Sequence, residues 1–261
     1  IIEKLKEHNS NIEETAFDNN KYYFLLSDNV NKADYYSDFL LDDLIQKLQK
    51  NTKKDITLLE MGTGRGYMSI ILASKFSEIK KIISIDIDKD SIILAKKNVW
   101  LNNLEEKIEI RQGNLFSSIK TTEKFDIIFA ALPQLPITRK DLLPFLMKYK
   151  NIPSYHVTTS VGGKNGQILI RKFFKLSVKY LVKGGLAVNV QADFSFSESL
   201  KKYIQSIGFE IFSLSKRKKF LNETSLTKIL EEYFKEKGYI FKKDAILNKY
   251  FNLLCVWGKY R

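Results

Sequence analysis

Seven residues, Glu60-Met61-Gly62-Thr63-Gly64-Arg65-Gly66, carry the clearest chemistry in the chain. They close a short apolar run, Ile56 to Met61, and lead into a second apolar stretch, Tyr67 to Phe76. Three glycines at alternate positions permit positive φ and let the backbone come close to a ligand. The spacing is G-x-G-x-G, not the G-x-G-x-x-G that seats a pyrophosphate on a helix N-terminus. Twenty residues past Gly66, the run Ile82-Ile83-Ser84-Ile85 ends in Asp86. A carboxylate at the end of a second strand is placed to accept both hydroxyls of a ribose. Asp88 competes for that role, but it better suits the N-cap of the helix starting near Asp90. The bland alternative for the glycines is a tight turn without a ligand.

Taken in order, these motifs resemble the class I S-adenosylmethionine-dependent methyltransferases over roughly residues 34 to 215. Glu60-x-Gly62-x-Gly64-x-Gly66 looks like their first motif, and Asp86 like the acid that clasps the ribose. Arg111-Gln112-Gly113-Asn114-Leu115-Phe116 resembles the segment after the third strand, with Asn114 where the family usually has Asp facing the adenine amino group. The Asn114 side-chain oxygen can accept the same hydrogen bond; a plain turn residue is the alternative. The resemblance implies S-adenosyl-L-methionine as cofactor, held by Glu60, Gly62, Thr63, Gly64, Gly66, Asp86, Ile87, Asn114, Leu115 and Ala130. No metal is implied.

Phe125 to Pro136 is similar to the fourth-strand motif of the release-factor glutamine and adenine-N6 methyltransferases, which read Asn-Pro-Pro-Tyr there. Gly162-Gly163-Lys164-Asn165-Gly166 resembles their Gly-Gly-x-Asp-Gly, and Leu181 to Gly185 resembles the turn before strand five. In this sequence Ala131 stands at the Asn position, Leu132 at the first Pro and Gln134 at the aromatic position; only Pro133 matches. Ala131 offers no side-chain acceptor to a planar –NH2, while Gln134 offers an amide oxygen from a shifted position but cannot stack. Ala131, Pro133 and Gln134 are therefore the residues expected at the acceptor. Leu-Pro-Gln is also similar to the Ile-Pro-Gln of plant methionine S-methyltransferases, whose thioether acceptor needs no Asn. The expected reaction is methyl transfer to a protein or RNA acceptor, nitrogen being the first candidate atom. Two alternatives stay open: a small-molecule acceptor such as a thioether, and a non-catalytic binding module that keeps the cofactor pocket. No catalytic base is required, since aligning nucleophile, carbon and sulfur is the main task.

These residues need strands to carry them and helices to cover the strands. Ile56–Met61, Lys81–Asp86, Lys107–Arg111, Phe125–Ala131, Gly185–Gln191, Phe209–Leu214 and Asn252–Trp257 read as strands. Asp34–Gln49, Tyr67–Phe76, Asp90–Asn102, Gln167–Val182 and Ser197–Ile207 read as helices between them. The alternation predicts an α/β fold, doubly wound and mostly parallel. With the resemblance, that is a seven-stranded Rossmann-like methyltransferase sheet with helices on both faces. Residues 1–33, with a helical pattern at Ile1–Glu7 and an aromatic strand at Lys21–Leu26, form an N-terminal extension or lid. Residues 34–261 form the domain, with a basic helical insertion at about 216–250, including a charged helix at Ser225–Lys237, before the last strand.

Composition narrows the partners. Among 261 residues, 43 Lys and Arg against 30 Asp and Glu give a net charge of +13. Residues 201–261 hold 14 basic and six acidic side chains, so +8 of that excess lies there, densest at Lys216-Arg217-Lys218-Lys219. RNA or a ribosome-associated protein is the partner this suggests; a solvated strand end is the alternative. Six of the 43 cations are Arg; the rest are Lys, point charges that also serve as solubilisers. A single cysteine, Cys255, excludes an internal disulfide, and His8 and His156 with no CxxC or HExxH exclude a zinc hydrolase. His156 falls in the loop expected to face the substrate, though an ordinary loop role is the commoner one. Tyr22, Tyr23, Phe24, Tyr35 and Tyr36 suit a lid or core contact better than a substrate stack. No apolar run reaches the 18 to 20 or so residues of a membrane span, so a reducing cytoplasm is expected.

Overall fold

A computed structural model describes residues 11–18, 20–30, 35–138, 140–142, 161–220, 231, 234, 235, 241–243 and 249–261. The expected helix at Ile1–Glu7, His156 and most of Ser225–Lys237 lie outside the described residues. The chain begins with a hairpin, β1 (Ile12–Phe17) and β2 (Asn20–Leu25), followed by α1 (Tyr35–Gln49). Next come β3 (Ile56–Met61), α2 (Tyr67–Lys75), β4 (Ile79–Asp86), α3 (Lys89–Leu101), β5 (Ile108–Gln112), a 3-10 turn (Leu115–Ser118) and β6 (Phe125–Ala130). After residue 160 follow α4 (Ile168–Tyr180), β7 (Leu181–Ala192), α5 (Glu198–Ser206), β8 (Phe209–Phe220), β9 (Lys242–Lys243) and β10 (Lys249–Tyr260).

Strand order is β5-β4-β3-β6-β7-β10-β8, with two-residue β9 paired to β10. The first five are parallel; β10 runs antiparallel to β7, and β8 to β10. β3 and β6 are mostly apolar, with Thr57, Glu60 and Asp126 the exceptions, because helices cover both faces. One core joins the sheet to α1, α2 and α3 through residues such as Leu40, Leu44, Ile70 and Val99. The other joins it to α4 and α5 through Ile170, Phe173, Phe174, Leu200 and Ile204. Among the described residues, no helix is long and apolar enough to cross a membrane. Strand order reverses between β3 and β6, which opens a crevice at their carboxyl ends.

The aromatic strand is present as the second arm of a hairpin whose first arm, β1, the sequence reading did not contain, and Tyr22 and Phe24 make the expected core contact. One feature differs from the sequence reading. Lys216 to Lys219 do not start a helical insertion. They continue β8 to Phe220 in an unbroken ladder with β10. The ladder wins because the odd residues face α1: Ser215 bonds Asp43, while Arg217 pairs with Asp42 and lies over Phe39. Leu214, Lys216 and Lys218 point to solvent, so the strand keeps the alternation a half-covered edge requires.

Candidate active site

The carboxyl ends of β5, β4, β3 and β6 are neighbours, so four segments distant in sequence converge there. After β3 the chain turns sharply, and Gly62 and Thr63 both donate their N–H to the Ile85 carbonyl at 2.8 and 3.0 Å. Gly62, Gly64 and Gly66 have φ of 78°, 55° and 83°, a region that side chains disfavour. Their surroundings differ. A Cβ on Gly62 or Gly64 would meet nothing within 4 Å, whereas one on Gly66 would press on Ile70 at 3.3 Å and Ala95 at 3.6 Å. Gly66 is needed for close packing of α2 on α3. Gly62 and Gly64 leave an open cradle that a ligand would fill.

Asp86 ends β4 beside that cradle. Its Oδ2 accepts the Gly64 N–H at 2.8 Å and its Oδ1 the Asp88 N–H at 3.0 Å. Each oxygen keeps a lone pair for an incoming hydroxyl. Burial raises the carboxyl above the usual aspartate range, opposed by those two N–H bonds. Asp88 caps α3 through the Ser91 N–H at 2.7 Å, the role expected of it. Ile87 is 64% exposed, an apolar surface next to the carboxylate and suited to a flat ring. The Gly113 N–H bonds the Asp86 carbonyl at 2.8 Å, which brings exposed Asn114 to the same rim. Leu115 is held at φ 51°, strain of a kind that clusters at ligand sites.

Glu60 lies beneath the glycine loop, fully buried. Its Oε2 accepts from Thr63 Oγ1 at 2.7 Å and from Ser69 Oγ, which in turn meets Ser84 Oγ at 2.7 Å; its Oε1 has no partner. Burial pushes the carboxyl from the ordinary 4.5 up to about 7, against the pull of the three hydroxyls and with the help of nearby Asp86. Folding thus favours the protonated form. Its contribution to stability is complete below pH 4.5 and is lost as pH rises through about 7. The shift corresponds to on the order of 3 kcal/mol. Urea unfolding at pH 4.5, 5.8 and 7.5 should show a wild-type decline that is missing in Glu60→Gln. Parallel pH profiles for the two proteins would refute it.

At the end of β6, Ala130 is fully buried and its carbonyl accepts Asn189 Nδ2 at 2.9 Å. Ala131 and Pro133 are half-buried. Gln134 differs from its expected role at the acceptor. It is 5% exposed, its Nε2 donates to the Val190 carbonyl at 3.0 Å, and its Oε1 accepts the Ala192 N–H at 2.5 Å and Ser195 Oγ at 2.9 Å. The amide is spent on tying the loop to the end of β7. Its backbone accounts for Gly162 and Gly166, where a Cβ would come within 2.6 Å of Gln134 Cα and 2.2 Å of its carbonyl oxygen.

Sequence reasoning missed the residues that hold the loop from outside. Asn98 of α3 donates to the Arg65 carbonyl at 2.9 Å and accepts the Leu25 N–H at 2.7 Å. Arg65 is buried, lies 4.8 Å over the Phe24 ring and pairs with Glu13 of β1. The hairpin is thereby joined to the glycine loop. A polar Asn amid the apolar face of α3 was the available signal.

A family model described as "Methyltransferase domain" matches residues 52–238. A provisionally named protein N5-glutamine methyltransferase of Methanocaldococcus jannaschii is 31% identical over 168 residues, 64% of this chain and 77% of that protein. The release factor glutamine methyltransferase of Clostridium acetobutylicum is 28% identical over 187 residues, 70% of this chain and 61% of that protein. Among solved structures, the M. jannaschii tRNA m1G37 methyltransferase superposes with a TM-score of 0.55 at 16% identity, covering 97% of this chain and 58% of that one. That likeness concerns the fold.

Proposed function

Because the chain belongs to the methyltransferase-domain family, we propose that it transfers a methyl group from S-adenosylmethionine to a nitrogen of a protein or an RNA. The observation that carries this reading is the open cradle at Gly62 and Gly64 with Asp86 bonded to its rim. The residues fit the cofactor. Asp86 would hold the ribose hydroxyls, Ile87 and Leu115 would cover the adenine faces, and Asn114 would meet the adenine amino group. Glu60 lies beneath the loop with Oε1 unpartnered and would hold the loop from below rather than meet the cofactor from the open cradle. When bound, the cofactor supplies a methyl carbon activated by a sulfonium.

The chain's own task is then alignment. The segment Ala131–Pro133 would present backbone carbonyls, which can accept the N–H groups of an acceptor and point its lone pair at the methyl. Gln134 holds that segment still by its three bonds to Val190, Ala192 and Ser195. Fixed acceptors in a closed pocket need no reorganisation during transfer. Relatives that carry names of glutamine methyltransferases support a protein amide, and the basic C-terminal segment supports RNA.

A thioether or other small-molecule acceptor is favoured by one observation: Ala131 has no acceptor group, and the Gln134 amide is already engaged. Incubation with methyl-labelled S-adenosylmethionine and fractionated cell extract separates the readings. Label is expected in precipitated protein or RNA. Label confined to small metabolites would give the reaction to the second reading. No label anywhere, with no cofactor binding by calorimetry, would leave only a binding module.

A further inference from the structure

The register of the sheet gives the C-terminal charge a direction. Leu253 of β10 stands opposite both Ala192 of β7 and Arg217 of β8. Ala192 ends β7 at the carboxyl side of the parallel strands, the side that carries Asp86 and Ala131. Residues 218 to 220, still paired with β10, therefore extend past the end of β7 on that side, by about 10 Å at ~3.3 Å per residue. Three strand spacings separate β8 from β6, or about 14 Å. The densest positive run thus lies at the same end of the sheet as the acceptor loop, with β7 and β10 between them.

Its side chains form an ordered rim. Lys216 and Lys218 are exposed on one face of β8, about 7 Å apart, comparable with the separation of successive phosphates along a strand. On the other face Lys219 Nζ lies 4.6 Å over the Tyr35 ring, and the Tyr35 hydroxyl bonds the Lys218 carbonyl at 2.8 Å. Exposed Lys243 of β9 adds to the same end. Arg217 and Lys242 at this end pair with Asp42 and Asp193. Among the described residues β8 is also the sheet edge, so its outer backbone N–H groups are further donors to phosphate. Carboxylates of an acidic protein would satisfy lysines too, but regular spacing, edge N–H groups and a ring beside the cations suit a nucleic-acid strand better.

We propose that this rim binds the phosphate backbone of RNA and delivers a nucleotide to the loop at Ala131–Gln134. The inference rests on the methyltransferase reading with a macromolecular acceptor. Lysines at an edge position a backbone and read no bases, so binding is largely independent of sequence and steeply dependent on salt.

The test uses the full chain, a fluorescent 20-nucleotide single-stranded RNA and anisotropy titrations over a salt series. Lys216→Gln/Lys218→Gln/Lys219→Gln should weaken binding about 10- to 100-fold at 0.1 M salt and reduce the log–log salt slope by about 2, at ~0.7 per contact. A control of equal net charge, Lys80→Gln/Lys120→Gln/Lys183→Gln, removes exposed lysines at the amino ends of β4, β6 and β7. It should leave affinity within about threefold. Equal weakening by both triples would overturn the proposal, as would polyglutamate displacing the RNA at matched charge, which would assign the rim to an acidic protein. S-adenosylmethionine calorimetry on all three proteins tests the enzyme reading separately, since neither triple touches Asp86 or the glycine loop.

Discussion

Replacing Asp86 with alanine is expected to weaken S-adenosylmethionine binding by about 100-fold or more. Two hydrogen bonds from ribose hydroxyls to a carboxylate contribute about 1.5–3 kcal/mol each, and both are lost together. The change also frees the Gly64 and Asp88 N–H groups that Asp86 now accepts, so the cradle itself loosens. Asp86→Asn keeps one acceptor and should fall between. Gly64→Val tests the same cradle by filling it. A Cβ there meets nothing in the protein within 4 Å, so the cost to folding is the positive φ of 55°, about 1–2 kcal/mol. Cofactor binding should disappear while a cooperative fold remains. Gly66→Val should behave in the opposite way, since its Cβ presses on Ile70 and Ala95, and stability should fall first. Calorimetry and thermal unfolding on the four variants check this pattern; wild-type affinity in Asp86→Ala would remove the carboxylate from the site.

What could be read from the sequence follows physical lines. The central strands are legible because burial on both faces leaves short, mostly apolar runs, as in Ile56–Met61 and Phe125–Ala130. The cofactor residues are legible because positive φ calls for glycine and a ribose calls for an acid at a strand end. β1 escaped because Ile12–Phe17 carries Glu13, Glu14 and Thr15 and is half exposed. The end of β8 escaped because its lysines say nothing of β10 or α1, which are far away in the chain yet supply its ladder and the Asp42 and Asp43 partners. Asn98 and Arg65 escaped for the same reason: the groups they bind lie 33 to 73 residues away. Patterns of local periodicity carry no record of such pairings.

Gln134 is where family resemblance and geometry part, and Gln134→Ala decides between them. If the amide contacts the acceptor, the variant loses turnover or acceptor affinity while unfolding stays unchanged. The structure predicts otherwise. Truncation takes the partner of the Val190 carbonyl and of the Ala192 N–H, both of fully buried residues, while the buried Ser195 hydroxyl keeps its bond to the Ala192 carbonyl. Each buried group left unsatisfied costs about 1–3 kcal/mol, so stability should drop by roughly 2–4 kcal/mol after partial relaxation. The freed loop no longer holds Ala130–Pro133 against β7, and kcat should fall by about 10- to 100-fold, the penalty for a misplaced acceptor. Cofactor affinity should change little, because the Gln134 amide bonds Val190, Ala192 and Ser195 and touches neither Asp86 nor the glycine loop. Gln134→Glu sharpens the comparison. It keeps an oxygen for Ala192 and Ser195 but loses the donor to the Val190 carbonyl and buries a charge, so its losses in stability and turnover should grow with pH. A substrate contact would instead show its pH dependence in acceptor binding alone.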